Sequence, residues 1–210
     1  MLGPADITEI APGLWRWTAV HPEWVAGAKP GSTADWPAEV GSVAYAATDA
    51  LVVIDPLVPD NAEALWRWLD ERAAEANGRV WAVTTIGWHR RSRAEVATRY
   101  GASTSRARDK LPAGVKPIRI TGAGETMFWL PAERALVPGD RLVGADRPGR
   151  LRLCHSSWLN PLPSGMDRSG LATALRPLLE LPVERVLVSH GQPVLRGGRA
   201  EIERAIAEAA

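Results

Sequence analysis

The sequence predicts an α/β fold in which two layers of sheet pack together with helices outside. Three observations predict it. Strand-like segments fill the early part of the chain, and strands alternate with helical patterns after that. The middle strands, such as LVVI at 51–54, read as unbroken apolar runs and so as buried. Polar residues stand directly after such runs, at Asp55, Asp140 and His190, with His89 in the loop after another.

Taken in order, residues 7–20 alternate roughly and read as one strand. Residues 21–40, rich in Pro, Gly and Trp, read as a long loop, and long loops in compact domains often serve function. Strands are expected at Ser42–Ala47 and Ala50–Ile54, joined around Thr48–Asp49. A helix should start at Asp60, with Glu63 completing a capping box. Leu65, Trp66, Leu69 and Ala73 give it a buried face, and Asn77–Gly78 ends it. Arg79–Thr84 reads as a buried strand. Ser92 and Glu95 form a second capping-box pattern, predicting a helix over Arg93–Tyr100 that stops at Gly101. Strands follow near Ile118–Thr121, Thr126–Leu130 and Ala135–Pro138. Residues 144–166 read as a Gly/Pro-rich connection. A helix at Leu171–Leu179, a strand at Arg185–Ser189 and an amphipathic helix at Ala200–Ala209 complete the order. No stretch reads as a linker, so one domain over 1–210 is expected.

Composition narrows the function classes. A formal charge of +1 gives no global electrostatic reason to expect nucleic acid or a membrane surface as partner. No apolar run approaches the ~20 residues that cross a bilayer. Met1–Ile10 lacks the basic and apolar regions of a leader. The single Cys154 fits a reducing compartment, so a cytoplasmic protein is expected. Ten Trp stand against one Phe and two Tyr. Trp66 and Trp81 fit buried faces. Trp24, Trp36 and Trp88 lie in loops, where they would wall a pocket for a flat ligand, plug a space, or form a homodimer contact.

Strand ends present side chains into a shared crevice. His89, Asp140 and His190 together would make a two-histidine, one-carboxylate metal site. Without metal, His190 and Asp140 would serve as a base and its orienting carboxylate.

From about Ile7 to Pro193 the chain resembles the metallo-β-lactamase superfamily of hydrolases. The resemblance is carried by LVVIDP (51–56), by the strand, loop and helix ending in Arg99–Tyr100–Gly101–Ala102, by LVPGD (136–140) and by VLVSHG (186–191). It implies a four-layer αββα sandwich with the site at one edge of the sheets. The departure lies in TTIGWHRRS (84–92), where the superfamily carries Thr-His-x-His-x-Asp-His. Aligned on Thr85, the ligand positions hold Ile86, Trp88, Arg90 and Arg91. The histidine expected before the LVPGD strand is also missing. Asp140 and His190 are what remains of the superfamily's metal-site side chains, so a two-metal site is not expected.

The resulting expectation is a hydrolase-like protein of unidentified substrate. Its site is depleted, with one divalent metal (zinc, iron or manganese) on His89, Asp140 and His190, or none. Asp140, His190 and His89 are the catalytic candidates. Arg90 and Arg91, before a helix N-terminus, would hold an anionic group of a small-molecule substrate beside Trp88 and Asp55, or else form salt bridges. His21 and His155 read as surface or packing residues, and Cys154 as a buried small residue. The rival expectation is a non-catalytic binding or assembly protein on the same scaffold. An enzyme would keep an open pocket, whereas a scaffold would fill it with Trp88.

Overall fold

The computed structural model describes residues 7–104 and 111–209. The reading of the first six residues as part of a leaderless start lies outside them, as do the ends of the expected domain.

Five strands form the first sheet, in sequence order: β1 (Thr8–Ala11), β2 (Leu14–Val20), β3 (Glu39–Ala47), β4 (Ala50–Ile54) and β5 (Val80–Val83). Helix α1 (Glu63–Glu75) makes the crossover that lets β5 run parallel to β4. Helix α2 (Arg93–Tyr100) follows, ended by Gly101 at φ 59°. The second sheet holds β6 (Lys116–Ile120), β7 (Glu125–Leu130), β8 (Ala135–Val137) and, parallel to β8, the short β11 (Arg185–Val186), in the order β11-β8-β7-β6. A ribbon of β9 (Leu142–Gly144) and β10 (Leu151–Leu153) lies between β8 and α3 (Arg168–Leu175) in sequence, and α4 (Gly198–Ala207) follows β11.

Side-chain alternation makes this a four-layer sandwich. In β4, Leu51 and Val53 pack with Leu65, Leu69 and Val96 of the helices, while Val52 and Ile54 face the other sheet. In β7, Phe128 and Leu130 meet that inner layer, and Met127 and Trp129 pack with Leu171 and Ile202 of α3 and α4. Strands buried on both faces have no polar side to show, which is why they read as continuous apolar runs. Each such side chain contributes about 1.5–3 kcal/mol by leaving water.

Some local expectations are corrected. Residues 7–20 form two strands, because Pro12–Gly13 turns the chain, with Gly13 at φ 74°. Neither capping box forms. Helix α1 begins after Ala62 with no side-chain cap, and the Ser92 hydroxyl accepts from Val58 N–H instead. The connection 144–166 contains β10 and a 3₁₀ turn at Ser156–Trp158. The expected helix 171–179 starts earlier, at Arg168, capped by Asp167 accepting from Gly170 N–H, and becomes 3₁₀ from Arg176.

The sheets are stitched together where their strands end. Gly41 N–H donates to Ser189 O at 2.7 Å, and Val40 bridges His190. The turns after β4, β5, β8 and β11 therefore converge on one edge.

Candidate metal centre

The turn after β5 carries His89. His89 N–H donates to Ile86 O at 3.0 Å, which winds Ile86–His89 into a tight turn that buries the imidazole. Asp55, after β4, holds it. Asp55 sits at φ 49°, a conformation Asp tolerates better than most residues. One Asp55 oxygen accepts Thr85 N–H at 2.8 Å; the other accepts the Thr85 hydroxyl and lies 2.9 Å from His89 Nδ1. A carboxylate at Nδ1 calls for the proton on that nitrogen, which turns the Nε2 lone pair toward Asp140 in the neutral ring.

Asp140 follows β8 in a turn fixed by Glu125. That buried carboxylate accepts N–H bonds from Gly139 (3.0 Å), Asp140 (2.8 Å) and Arg141 (3.0 Å). Burial and the nearby Asp140 push Glu125 up to about 7, against the pull of Arg141 and the N–H donors. His190 follows β11. Its carbonyl accepts from Gly144 N–H at 2.8 Å, and the two backbones lie so close that a Cβ on Gly144 would stand 2.6 Å from Gln192 N. The Gly144–Gly191 approach thus locks the histidine in place.

His89 Nε2 lies 3.0 Å and His190 Nε2 3.1 Å from the same oxygen, Asp140 Oδ1. All three residues are buried, and their ligand atoms lie within 4.8 Å of one another. Oδ1 is a buried oxygen whose only polar neighbours among the described residues are these two imidazoles, so a donor reaches it only if one of them carries a proton on Nε2. Two ring nitrogens converge on this one oxygen, as donor atoms do around a shared cation, and without an ion a protonated His89 would pair with it directly. Two histidines and a carboxylate with an open side suit a catalytic divalent metal, and Asp55 supplies the outer carboxylate that ligating histidines usually have. The donor set thus fits one metal. Ile86, Trp88, Arg90 and Arg91 offer nothing for a second.

Electrostatics agree with a cation-seeking centre. Burial alone would lower His89, but Asp140 and Asp55 on either side raise it to about 9. Burial would raise Asp140, yet the two histidines hold it well below the usual carboxylate range. His190 is lowered, because burial outweighs its carboxylate neighbour.

The triad floors a cavity of about 400 Å³. Its walls include Trp36, Trp88, Trp158, His21 and Arg91. The loop between β2 and β3 supplies His21 and Trp36 and is tied down by Ser157 Oγ–H to Gly31 O (2.7 Å) and Trp158 Nε1–H to Ser32 O (3.1 Å). The His190 ring stands edge-on to Trp36 and Trp158, at 5.6 and 5.3 Å between centroids.

The remaining candidates divide. Trp88 is not a plug: it is 56% exposed, and its indole N–H donates to Asp140 Oδ2 at 2.6 Å. Arg91 reaches the cavity wall, but its guanidinium is engaged in bracing strand ends. It donates to Gly41 O (3.0 Å), Asp55 O (3.2 Å) and Ser189 Oγ (2.7 Å). Arg90 is exposed and outside the wall. Asp55 orients His89 rather than lining the cavity. His21, expected as a surface or packing residue, is a wall residue, and burial lowers it. His155 pairs with Asp35 at 3.3 Å, away from the triad. Burial pushes the Cys154 thiol up to about 11, which suits a packing residue. Glu125, Arg141 and Trp158 belong to the site but do not stand out in the sequence pattern. Glu125 opens a strand with a charged residue just before an apolar run, and that was the available signal.

The chain matches no protein-family model and no curated protein sequence. Solved structures do match it along nearly its whole length. The metallo-beta-lactamase FIM-1 from Pseudomonas aeruginosa, in its mono-zinc form, aligns with TM-score 0.64 and 14% identity over 99% of this chain and 96% of its own. A metallo-beta-lactamase from Erythrobacter litoralis gives 0.63 and 16%, over 100% and 93%. VMB-1 gives 0.64 and 11%, over 98% and 96%. The chain has the metallo-β-lactamase fold, at a sequence distance at which such likeness speaks for the fold alone. No helix among the described residues is long and apolar enough to cross a membrane.

Proposed function

We propose that this protein is a hydrolase of esters, amides or thioesters that works with a single divalent metal, zinc before iron or manganese. The observation that carries the reading is the convergence of two buried histidine Nε2 atoms on one buried carboxylate oxygen, Asp140 Oδ1, at 3.0 and 3.1 Å. His89, Asp140 and His190 would hold the ion, with Asp55 orienting His89. When bound, the ion would supply Lewis acidity toward a scissile carbonyl.

The chain's own residues then divide the remaining work. Trp36 and Trp158 offer ring surface to a flat acyl or leaving group and keep water from that side of the cavity. His21 Nδ1 accepts Glu23 N–H at 3.2 Å, so the neutral ring carries its proton on Nε2 as a donor for a substrate oxygen. With both Arg91 Nη groups committed to the scaffold, a small, uncharged or weakly anionic substrate is favoured. A cytoplasmic setting accords with the lone, buried Cys154.

The test is a screen of aryl and alkyl esters, amides and thioesters with the zinc-loaded protein, followed by Asp140→Ala and His190→Ala. Activity that survives both substitutions would sink the assignment. A non-catalytic scaffold is the rival reading, favoured by the Asp55–His89–Asp140 chain, which a protonated His89 closes without any metal. The open cavity weighs against it.

A further inference from the structure

We propose that Trp88 is a positioning residue that restricts Asp140 to one metal-facing oxygen and so fixes the coordination number of the single ion. This rests on the single-metal reading above and adds a role that no ligand position explains. The two oxygens of Asp140 are treated differently. Oδ1 faces both histidine Nε2 atoms, whereas Oδ2 takes the Trp88 indole N–H at 2.6 Å. An indole nitrogen donates and never ligates, so the oxygen it holds is withdrawn from any cation. Trp88 and His89 are neighbours on one tight turn, so that turn addresses both oxygens at once.

The rest of the Trp88 environment supports a directional role. A tryptophan placed for packing would be buried, yet this residue is 56% exposed. It is steadied from behind by Arg141, whose guanidinium lies 5.6 Å from the ring centroid. Arg141 is itself fully buried and anchored to Ala123 O (2.9 Å) and Trp158 O (3.2 Å). The ring therefore has a fixed support and one polar contact, and that contact is Oδ2.

Trp88→Phe keeps an aromatic ring and removes the N–H. The freed Oδ2 can then turn toward the ion, changing its coordination number. Trp88→Gln restores an N–H donor at similar reach. The experiment loads wild type and both variants with Co²⁺, records the visible spectrum, measures metal content by elemental mass spectrometry, and determines Zn²⁺ affinity by chelator competition. Circular dichroism checks the fold. Wild type should bind one equivalent. Trp88→Phe should lose visible band intensity and bind Zn²⁺ on the order of 10-fold more weakly, the lower end for loss of an outer-shell partner. Trp88→Gln should return toward wild type in both. A Trp88→Phe spectrum and affinity equal to wild type, on a wild type that binds one ion, overturns this inference alone. A wild type that binds no ion overturns it together with the single-metal reading.

Discussion

Replacing Arg91 by Met separates two roles that the sequence left open. The methionine keeps the apolar stem and removes the guanidinium. Three acceptors lose a donor: Gly41 O, Asp55 O and Ser189 Oγ. Asp55 O still accepts the Ser42 hydroxyl at 2.8 Å, so that loss counts for little. The other two bonds come from a charged donor and contribute about 1.5 kcal/mol each at the lower end of their range. Relief of a partly buried charge offsets a fraction, since burial already lowers Arg91 against the pull of Asp55 and Asp140. The expected loss is about 2 to 3 kcal/mol, which at a urea dependence of about 2 kcal/mol per molar moves the unfolding midpoint down by roughly 1 M. Arg91→Lys, with one compact donor group, should recover part of it. The assay is urea unfolding of the three proteins, with and without sulfate. A stability for Arg91→Met within about 0.5 kcal/mol of wild type is what an exposed anion-binding side chain would give. That result, or sulfate stabilisation that vanishes with Arg91, would refute the bracing role.

Other consequences can be measured on the same preparations. Asp55→Asn leaves His89 without its orienting carboxylate and should weaken Zn²⁺ binding about 10- to 100-fold by chelator competition. Leu65→Ala, in the packing of α1 on the first sheet, should cost about 2–5 kcal/mol in urea unfolding. The side chain of Asp70 is held below the usual carboxylate value by hydrogen bonds from Arg99 and Tyr100. Its stabilisation is therefore present above the unfolded carboxyl pKa and is lost as pH falls through the folded value. NMR titration should show Asp70 moving up toward 3.8 in Arg99→Ala, and an unchanged titration would contradict the pairing.

The fold was legible because both-face burial writes itself as apolar runs, and turns write themselves as Gly, Pro and Asn. The ribbon β9–β10 escaped notice because its strands are three residues long and flanked by Gly and Pro. The second capping box failed for a tertiary reason: Ser92 serves Val58 N–H across the turn rather than its own helix. In the site, the polar residues after buried strands marked Asp55, Asp140 and His190, and their convergence follows from parallel pairing of β4 with β5 and β8 with β11. The direction of each side chain was not legible. Whether Trp88 points inward or outward depends on the Ile86–His89 turn and on Arg141 behind the ring, a contact made across long sequence separation. Arg91 looked like an anion binder from its place before a helix, but its partners come from β3, from the turn after β4 and from the segment following β11.

The most direct test of the account is the metal content per chain, measured by elemental mass spectrometry on protein purified without chelator or added metal, for wild type and His89→Ala. The account predicts about one equivalent of a divalent metal in wild type and its loss in the variant. No metal in wild type, or a full equivalent retained in His89→Ala, would contradict a single-ion centre built on His89, Asp140 and His190.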